Sequence, residues 1–399
     1  MKRIRSRIAE LLEQEELYRN SVINLQASEN VLSPEVKRAL ATDLASRYSH
    51  IDQSGKNSYG GARFAERILA ETTDLAKGVY GSEYAEVRPV GGHIAALASL
   101  LAVTRRGDTI MAIGERNGGY PGYGQSYIPD LIGVRTLEIP YDADDQQILY
   151  DALQNQVRKN RVAAIVLGQS AIVRPYDLRA IRDIVDDSHK NTRILYDGSH
   201  VMGLIPGRQF QPDALELSDI LYGSTHKSFY GPQGGLILTN QSDLYEKIEK
   251  QLVWKTMDNY HPNRVAALGV ALEEFIEGGV DYAALVVENS RKLARALYDL
   301  GVGVRFHPWY SHSHQILLDP GWLSSMGLNF VEFSHLLEKN RMIVDRDGRL
   351  GTSEISHLGV RNVLNIAKAI KGALEGVNIN SYVDDVLAEA KGGSHDESI

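Results

Sequence analysis

Six short apolar runs, at residues 109–113, 134–139, 162–167, 192–196, 219–222 and 235–239, constrain this chain more than any other feature. Each is too short for a helix, and bounded apolar runs of this length read as strands buried on both faces. Helical patterns fill the gaps between most of them. That alternation builds a mostly parallel sheet covered by helices on both sides, an α/β fold. The run 235–239 follows Lys227 closely, which leaves an antiparallel pairing open to it.

Residues 1–20 carry Ile4, Ile8, Leu11, Leu12 and Leu17 as a broken apolar stripe, which reads as a packing helix or subunit arm. Ser33-Pro34-Glu35 reads as a helix start with proline in the first turn. Further helices are expected around 63–78 and 93–104. Beyond residue 240 long helical patterns dominate, among them 282–300. A second, smaller α/β unit begins near Val302-Gly-Val-Arg-Phe306 and runs through His314-Gln-Ile-Leu-Leu-Asp319. The expected division is a helical arm (1–30), a large domain (31–280), a small C-terminal domain (281–390) and a flexible, Gly-rich tail (391–399).

At 399 residues, 43% hydrophobic and 24% charged, the chain has the make-up of a globular protein large enough for that division. Its net charge of −8 is spread along the sequence, which argues against a nucleic-acid partner. No apolar run approaches bilayer length. The basic N-terminus lacks the apolar segment of a signal peptide. Zero cysteines exclude disulfides and thiolate sites. A cytoplasmic location with no membrane partner is the expectation.

Two of the strands end in complementary chemistry. The run 219–222 leads into Gly223-Ser-Thr-His-Lys227-Ser-Phe-Tyr-Gly-Pro-Gln-Gly-Gly235, and the run 192–196 ends in Asp197-Gly-Ser-His200. An amine and a carboxylate at the C-terminal ends of two strands share one crevice of such a sheet. Pyridoxal phosphate needs that pair: a lysine for the Schiff base, and an acid that keeps the pyridine nitrogen protonated so that the ring acts as an electron sink. On its own, each residue would pass for a surface lysine or a helix-capping aspartate.

Taken in order, several segments resemble the serine hydroxymethyltransferase family of fold-type I pyridoxal-phosphate enzymes, over almost the whole chain. They are Ala27-Ser28-Glu29-Asn30, Tyr59-Gly60-Gly61, Val87-Arg-Pro-Val-Gly91-Gly92, Gly118-Gly119-Tyr120, Gln169-Ser170-Ala171, Asp197-Gly-Ser-His200, Thr225-His226-Lys227 and Arg349-Leu-Gly-Thr352. The resemblance implies a mostly parallel seven-stranded sheet flanked by helices, with a smaller C-terminal α/β domain. It implies that Lys227 carries the cofactor and Asp197 pairs with the ring nitrogen. Backbone N–H groups of Gly91, Gly92 and His93 at a helix N-terminus, with the Ser224 hydroxyl, would hold the phosphate. The family usually reads Ser-Gly-Ser there, whereas this chain offers backbone and an imidazole.

By the same resemblance, Tyr120 stands where an aromatic ring, usually histidine, stacks on the pyridine. His200 and Ser170 fall near the ring's phenolic oxygen, and His226 flanks the lysine. Arg349 would grip the substrate carboxylate through a bidentate fork, with Ser28 and Tyr59 beside it. Tyr48 and Tyr59 match tyrosines near the phosphate and substrate. Sites in the family straddle two subunits, so a homodimer or homotetramer is implied, with Tyr48, Tyr59 and residues near His261 serving the neighbour.

Four departures from the family bear on the reaction. Tyr48-Ser49-His50 replaces Tyr-x-Glu, whose glutamate manages protons in the folate-dependent reaction. His50 shuttles protons near neutrality but has neither the shape nor the charge of a carboxyl group; a local insertion through Asp52-Gln53-Ser54 is the other explanation. Glu115 stands where the family offers an apolar wall to the pterin, a poor place for a carboxylate. Only Asp345-Arg-Asp-Gly348 separates Met342-Ile-Val344 from Arg349, where the family has a longer folate-contacting segment. Gln233 replaces an arginine, and a Gly-rich phosphate loop has become Lys255-Thr-Met-Asp-Asn-Tyr-His261, with Asn259 and His261 in its place. Three of the four weaken a tetrahydrofolate site and none damages the cofactor's.

The expected activity is reversible aldol cleavage at Cα–Cβ of a small β-hydroxy-α-amino acid, releasing or taking up an aldehyde without folate. Aldolase, transaldolase and hydroxymethyltransferase reactions share that step. Lys227 frees its amine for proton transfer. His50, His93 and Glu29 are the candidate bases or relays, and Tyr59 completes the catalytic set. Folate-dependent transfer, racemisation and transamination are the catalytic alternatives. A non-catalytic scaffold would call for loss of Lys227, Asp197 or Arg349, and all three are present.

Overall fold

The computed structural model describes residues 6–51, 55–188 and 191–393. The segment 52–54 and all but the start of the expected tail lie outside the described residues; that start closes the helix Asn380–Gly393. Residues 30–284 form one compact unit, and residues 1–29 with 285–399 form a second.

The first unit is built on seven strands: β1 (Tyr84–Glu86), β2 (Thr109–Ala112), β3 (Arg135–Glu138), β4 (Val162–Leu167), β5 (Arg193–Asp197), β6 (Ile220–Ser224) and β7 (Gly235–Thr239). Their spatial order is β1-β7-β6-β5-β4-β2-β3. The pairs β3–β2, β2–β4, β4–β5 and β5–β6 are parallel. β7 is antiparallel to both β6 and β1, because the loop carrying Lys227 returns to the sheet directly, with no helical crossover. β6 and β7 are buried at every position, as their unbroken apolar runs demand. β1 had no such run: its three residues include Tyr84 and Glu86, and pairing with β7 defines it.

The helix Gly92–Val103 lies against this sheet through Ala95, Ala98 and Leu100, whose small or compact side chains let it approach Tyr222 and Ile237. The expected helices at 33 and 63–78 are Pro34–Leu40, capped by the Ser33 hydroxyl, and Arg63–Tyr80. The long helix Pro262–Asp299 starts among residues of the first unit and ends among those of the second.

In the second unit, Ile23–Asn24 pairs in parallel with Met342–Ile343, and Gln315–Leu317 pairs antiparallel with Arg349–Gly351. Ile316, Leu350, Phe333, Leu337, Ile366 and Ile370 fill its core. The strand expected near 302–306 is reduced to a bridge between Val304 and Leu318, and Phe306 turns to a left-handed φ of 64° that ends the ladder. The helix Arg7–Arg19 buries none of its residues. Among the described residues, no helix is long and apolar enough to cross a membrane and no cluster of acidic or histidine side chains is arranged for a metal.

Candidate active site

Asp197 ends β5 and Lys227 follows the end of β6, and these strands are neighbours: Asp197 is registered opposite Tyr222. The two groups therefore stand at one edge of the sheet, as the sequence implied. Gly168, just past β4, completes this edge at φ 135°; a Cβ there would sit 2.4 Å from the Asp197 carbonyl oxygen, so only glycine fits.

Both oxygens of Asp197 are engaged. Oδ1 accepts from the Ser199 backbone N–H at 3.0 Å and its hydroxyl at 2.6 Å. Oδ2 accepts from the Tyr123 hydroxyl at 2.5 Å. The Tyr123 and Tyr222 hydroxyls are 2.6 Å apart. Burial first, and then the Asp197 charge, push both phenols well above their ordinary pKa, so they act as neutral donors. A carboxylate has about four lone-pair positions, so Asp197 keeps capacity for a ring N–H.

The Lys227 amine donates to Ser224 Oγ at 2.8 Å. Its backbone is clamped as well: the Lys227 carbonyl accepts from Asn30 Nδ2 at 2.7 Å and the Ser228 carbonyl from the Tyr282 hydroxyl at 2.7 Å. Asn30 Nδ2 also reaches the Tyr282 oxygen at 3.0 Å. His226 is largely buried, and burial together with the Lys227 charge pushes its pKa down to about 4. Its imidazole is therefore neutral near pH 7, with Nδ1 buried and without a partner.

Gly91 precedes the helix Gly92–Val103, whose first N–H groups have no acceptor within the helix. Gly92 lies so close to Ser224 that a Cβ on it would come within 3.0 Å of the Ser224 Cβ and backbone nitrogen, whereas nothing lies within 4 Å of the same point on Gly91. The result is an open cradle of backbone donors beside the Ser224 hydroxyl and the lysine. His93 Nδ1 meets the Tyr120 hydroxyl at 2.9 Å, and the Tyr120 ring stands edge-on to Tyr123 at 5.3 Å. Ser170 is fixed by its N–H to the Gly118 carbonyl at 2.8 Å, and His200 is buried in the turn after Asp197. An amine, an acid on the adjoining strand, an anion cradle and an aromatic ring in one unit fit pyridoxal phosphate.

Several supports carry no signal in the sequence, Tyr123 and Arg264 among them. Arg264 is buried beneath Gly234, and its Nη2 donates to the carbonyls of Val87 at 2.8 Å and Arg88 at 3.0 Å. It ties the approach to the cradle onto the long helix. Burial pushes it down to about 10, so it still carries its charge near neutrality.

Other expected residues gather elsewhere. The rings of Tyr48 and Tyr59 meet at 5.1 Å, tilted by 37°, and His50 stands edge-on to Trp254 at 5.7 Å. Tyr48, Tyr59 and Trp254 are 47%, 38% and 70% exposed, an aromatic patch on the surface of this chain. Asn259 Nδ2 donates to the Arg47 carbonyl, and His261 is exposed, as are Gln233 and Glu115.

In the second unit, Arg349 is paired with Asp345 and Asp347. Ser28 is half-buried. The Glu29 carboxylate accepts from Arg19 Nη1 at 3.0 Å, Asn24 Nδ2 at 2.9 Å and Gln26 Nε2 at 2.9 Å.

The family model described as serine hydroxymethyltransferase matches residues 1–350. Serine hydroxymethyltransferase of Methanosphaera stadtmanae is 34% identical over 367 residues, covering 89% of this chain and 86% of that protein. The Methanothermobacter thermautotrophicus protein of the same name is 32% identical over 401 residues, covering 96% and 93%. The crystal structure of L-threonine transaldolase from Pseudomonas fluorescens superposes with a TM-score of 0.82 at 24% identity, over 96% of this chain and 90% of that chain, a likeness of fold.

Proposed function

Given that this chain belongs to the serine hydroxymethyltransferase family and is a pyridoxal-phosphate-dependent enzyme, we propose that it makes and breaks the Cα–Cβ bond of a small β-hydroxy-α-amino acid without a folate carrier. The observation that carries the second half of this reading is the turn before Arg349. Residues 344–348 alone join Met342–Ile343 to Arg349–Gly351. Gly348, at φ 85°, is packed so that a side chain would strike the Phe330 ring at 2.4 Å. The turn is closed on its own unit, with no length left for a pterin-contacting segment. Glu115, at the position where the family resemblance puts an apolar wall for the pterin, is an exposed charge, which supports the same reading.

Pyridoxal phosphate held at Lys227 supplies the electron sink for a carbanion at the substrate's Cα. The remaining work falls to the chain. Asp197 pairs with the ring nitrogen, and the helix start at Gly91–His93 with Ser224 binds the phosphate. The Lys227 amine, oriented by Ser224, moves the proton at Cα. His93 and Tyr120, joined at 2.9 Å, move the proton of the β-hydroxyl. Arg349 takes the substrate carboxylate, beside Ser28. Glu29 is already answered by three donors, which favours His93 and His50 as relays. The exposed Tyr48–Tyr59 patch, with His50, supports a homodimer or higher homo-oligomer in which each chain completes its neighbour's site.

The test is glycine release from threonine and serine by the purified holoenzyme, with and without tetrahydrofolate. Glycine should appear at a rate that folate does not change. Release from serine only when folate is added would overturn the proposal in favour of the activity named for its relatives, whatever threonine gives.

A further inference from the structure

The short turn leading to Arg349 places two carboxylates on the guanidinium assigned to the substrate's own carboxylate. Arg349 Nε donates to Asp347 Oδ1 at 3.1 Å, and Nη2 pairs with Asp347 Oδ2 at 3.0 Å. Two parallel contacts from adjacent nitrogens form a side-on fork, the geometry in which a guanidinium holds a carboxylate best. Nε also lies 3.3 Å from Asp345 Oδ2, and that oxygen accepts the Ala27 N–H at 3.2 Å.

The two aspartates are not equivalent. Asp345 is buried and anchored to the backbone of Ala27, a fixed counter-ion for Arg349. The Asp347 side chain is 57% exposed while Arg349 is 12% exposed, so the acid can leave the pair toward water and the base cannot. An amino acid's carboxylate is the same chemical group as the Asp347 side chain and seeks the same planar edge.

We propose that Asp347 is a built-in competitor for the substrate carboxylate: it occupies the Nε–Nη2 edge of Arg349 and swings into solvent as an amino acid binds, so that it sets substrate affinity. This rests on the reading of Arg349 as the carboxylate site. The exchange breaks one carboxylate–guanidinium pair as it forms another, and the displaced aspartate is rehydrated.

The experiment is equilibrium dialysis of labelled glycine against the holoenzyme, for wild type, D347N, D347A and R349K. Ethylamine, an amine without a carboxylate, serves as a competing control, and melting curves verify folding. Removing the competitor should lower the glycine Kd about two- to fivefold in both Asp347 variants, the range of a partly exposed ion pair, and leave ethylamine binding unchanged. KM for amino-acid substrates should fall with it. A glycine Kd that is unchanged or raised in both variants makes Asp347 a bystander or a support, and overturns the proposal. Equal tightening of glycine and ethylamine also overturns it, as a general charge effect. R349K is a separate arm: wild-type glycine affinity there would remove the carboxylate from Arg349, and the underlying reading would fall with it.

Discussion

The Tyr123 hydroxyl donates to Asp197 Oδ2 across 2.5 Å from a wholly buried ring, with the Tyr222 hydroxyl 2.6 Å behind it. The acid assigned to the cofactor's ring nitrogen is thus held by a phenol pair as well as by its own turn. Tyr123→Phe deletes the donor and strands the Tyr222 hydroxyl. A hydrogen bond to a charged group contributes about 1.5–3 kcal/mol. Absorbance titration of the cofactor-free protein should show pyridoxal phosphate bound about tenfold or more weakly, with a lower kcat in the reloaded enzyme. Unaltered affinity and rate would mean that Ser199 alone suffices to hold Asp197.

Gly92→Ala tests the cradle. The new methyl group would press at 3.0 Å on the Cβ and backbone nitrogen of Ser224, whose hydroxyl orients the lysine. Shifting Ser224, the amine's partner and the proposed phosphate ligand, should weaken cofactor binding, while the melting temperature of the cofactor-free protein falls little, since the helix gains a better helix former. A variant that binds the cofactor like wild type would show that the phosphate sits elsewhere.

Asn30→Ala removes the clamp on the Lys227 carbonyl. That carbonyl and the Tyr282 hydroxyl lose a shared donor, at a cost of about 1–3 kcal/mol if water does not replace it. Turnover should drop more than cofactor affinity, because the amine's base is loosened while the cradle is intact. An equal loss in both would point to general destabilisation, which a melting curve would reveal.

Two buried titrating groups act on stability in opposite directions. His226 is held down to about 4 by burial and the Lys227 charge, so the unfolded chain takes up its proton first as pH falls. Its contribution is complete above about pH 6.5 and is lost toward pH 4. Asp345 is pushed up to about 6 by burial, against the pull of Arg349, so the folded chain keeps that proton longer as pH rises. Its contribution is complete below about pH 4 and is lost toward pH 6. Each is on the order of 3 kcal/mol at most. Melting curves of the cofactor-free protein should show H226Q losing less stability than wild type on acidification from pH 6.5 to 4. D345N should lose less between pH 4 and 6. Profiles parallel to wild type would place both groups in water.

Much of this was legible in the chain. The runs that became β4 to β7 are largely apolar because those strands are mostly buried, and Asp197 and Lys227 share an edge because β5 and β6 are parallel neighbours. Tyr123 and Tyr222 were not legible as Asp197's support. A tyrosine in or beside an apolar run looks like packing until the partner strand is in place. Asn30 stood in a quoted motif, but its bond to Lys227 spans most of the first unit and has no local signature. The pairing of Ile23–Asn24 with Met342–Ile343 draws residues of the expected N-terminal arm into a sheet with late ones, which periodicity cannot foresee. At 302–306 the pattern favoured a strand, and the left-handed turn at Phe306 overruled it.

The antiparallel return of β7 beside β6 has a mechanical meaning for the lysine between them. A tether whose two roots enter neighbouring interior strands cannot drift with the surface. The amine's backbone root is therefore as firm as the sheet itself, and only its side chain is left to move.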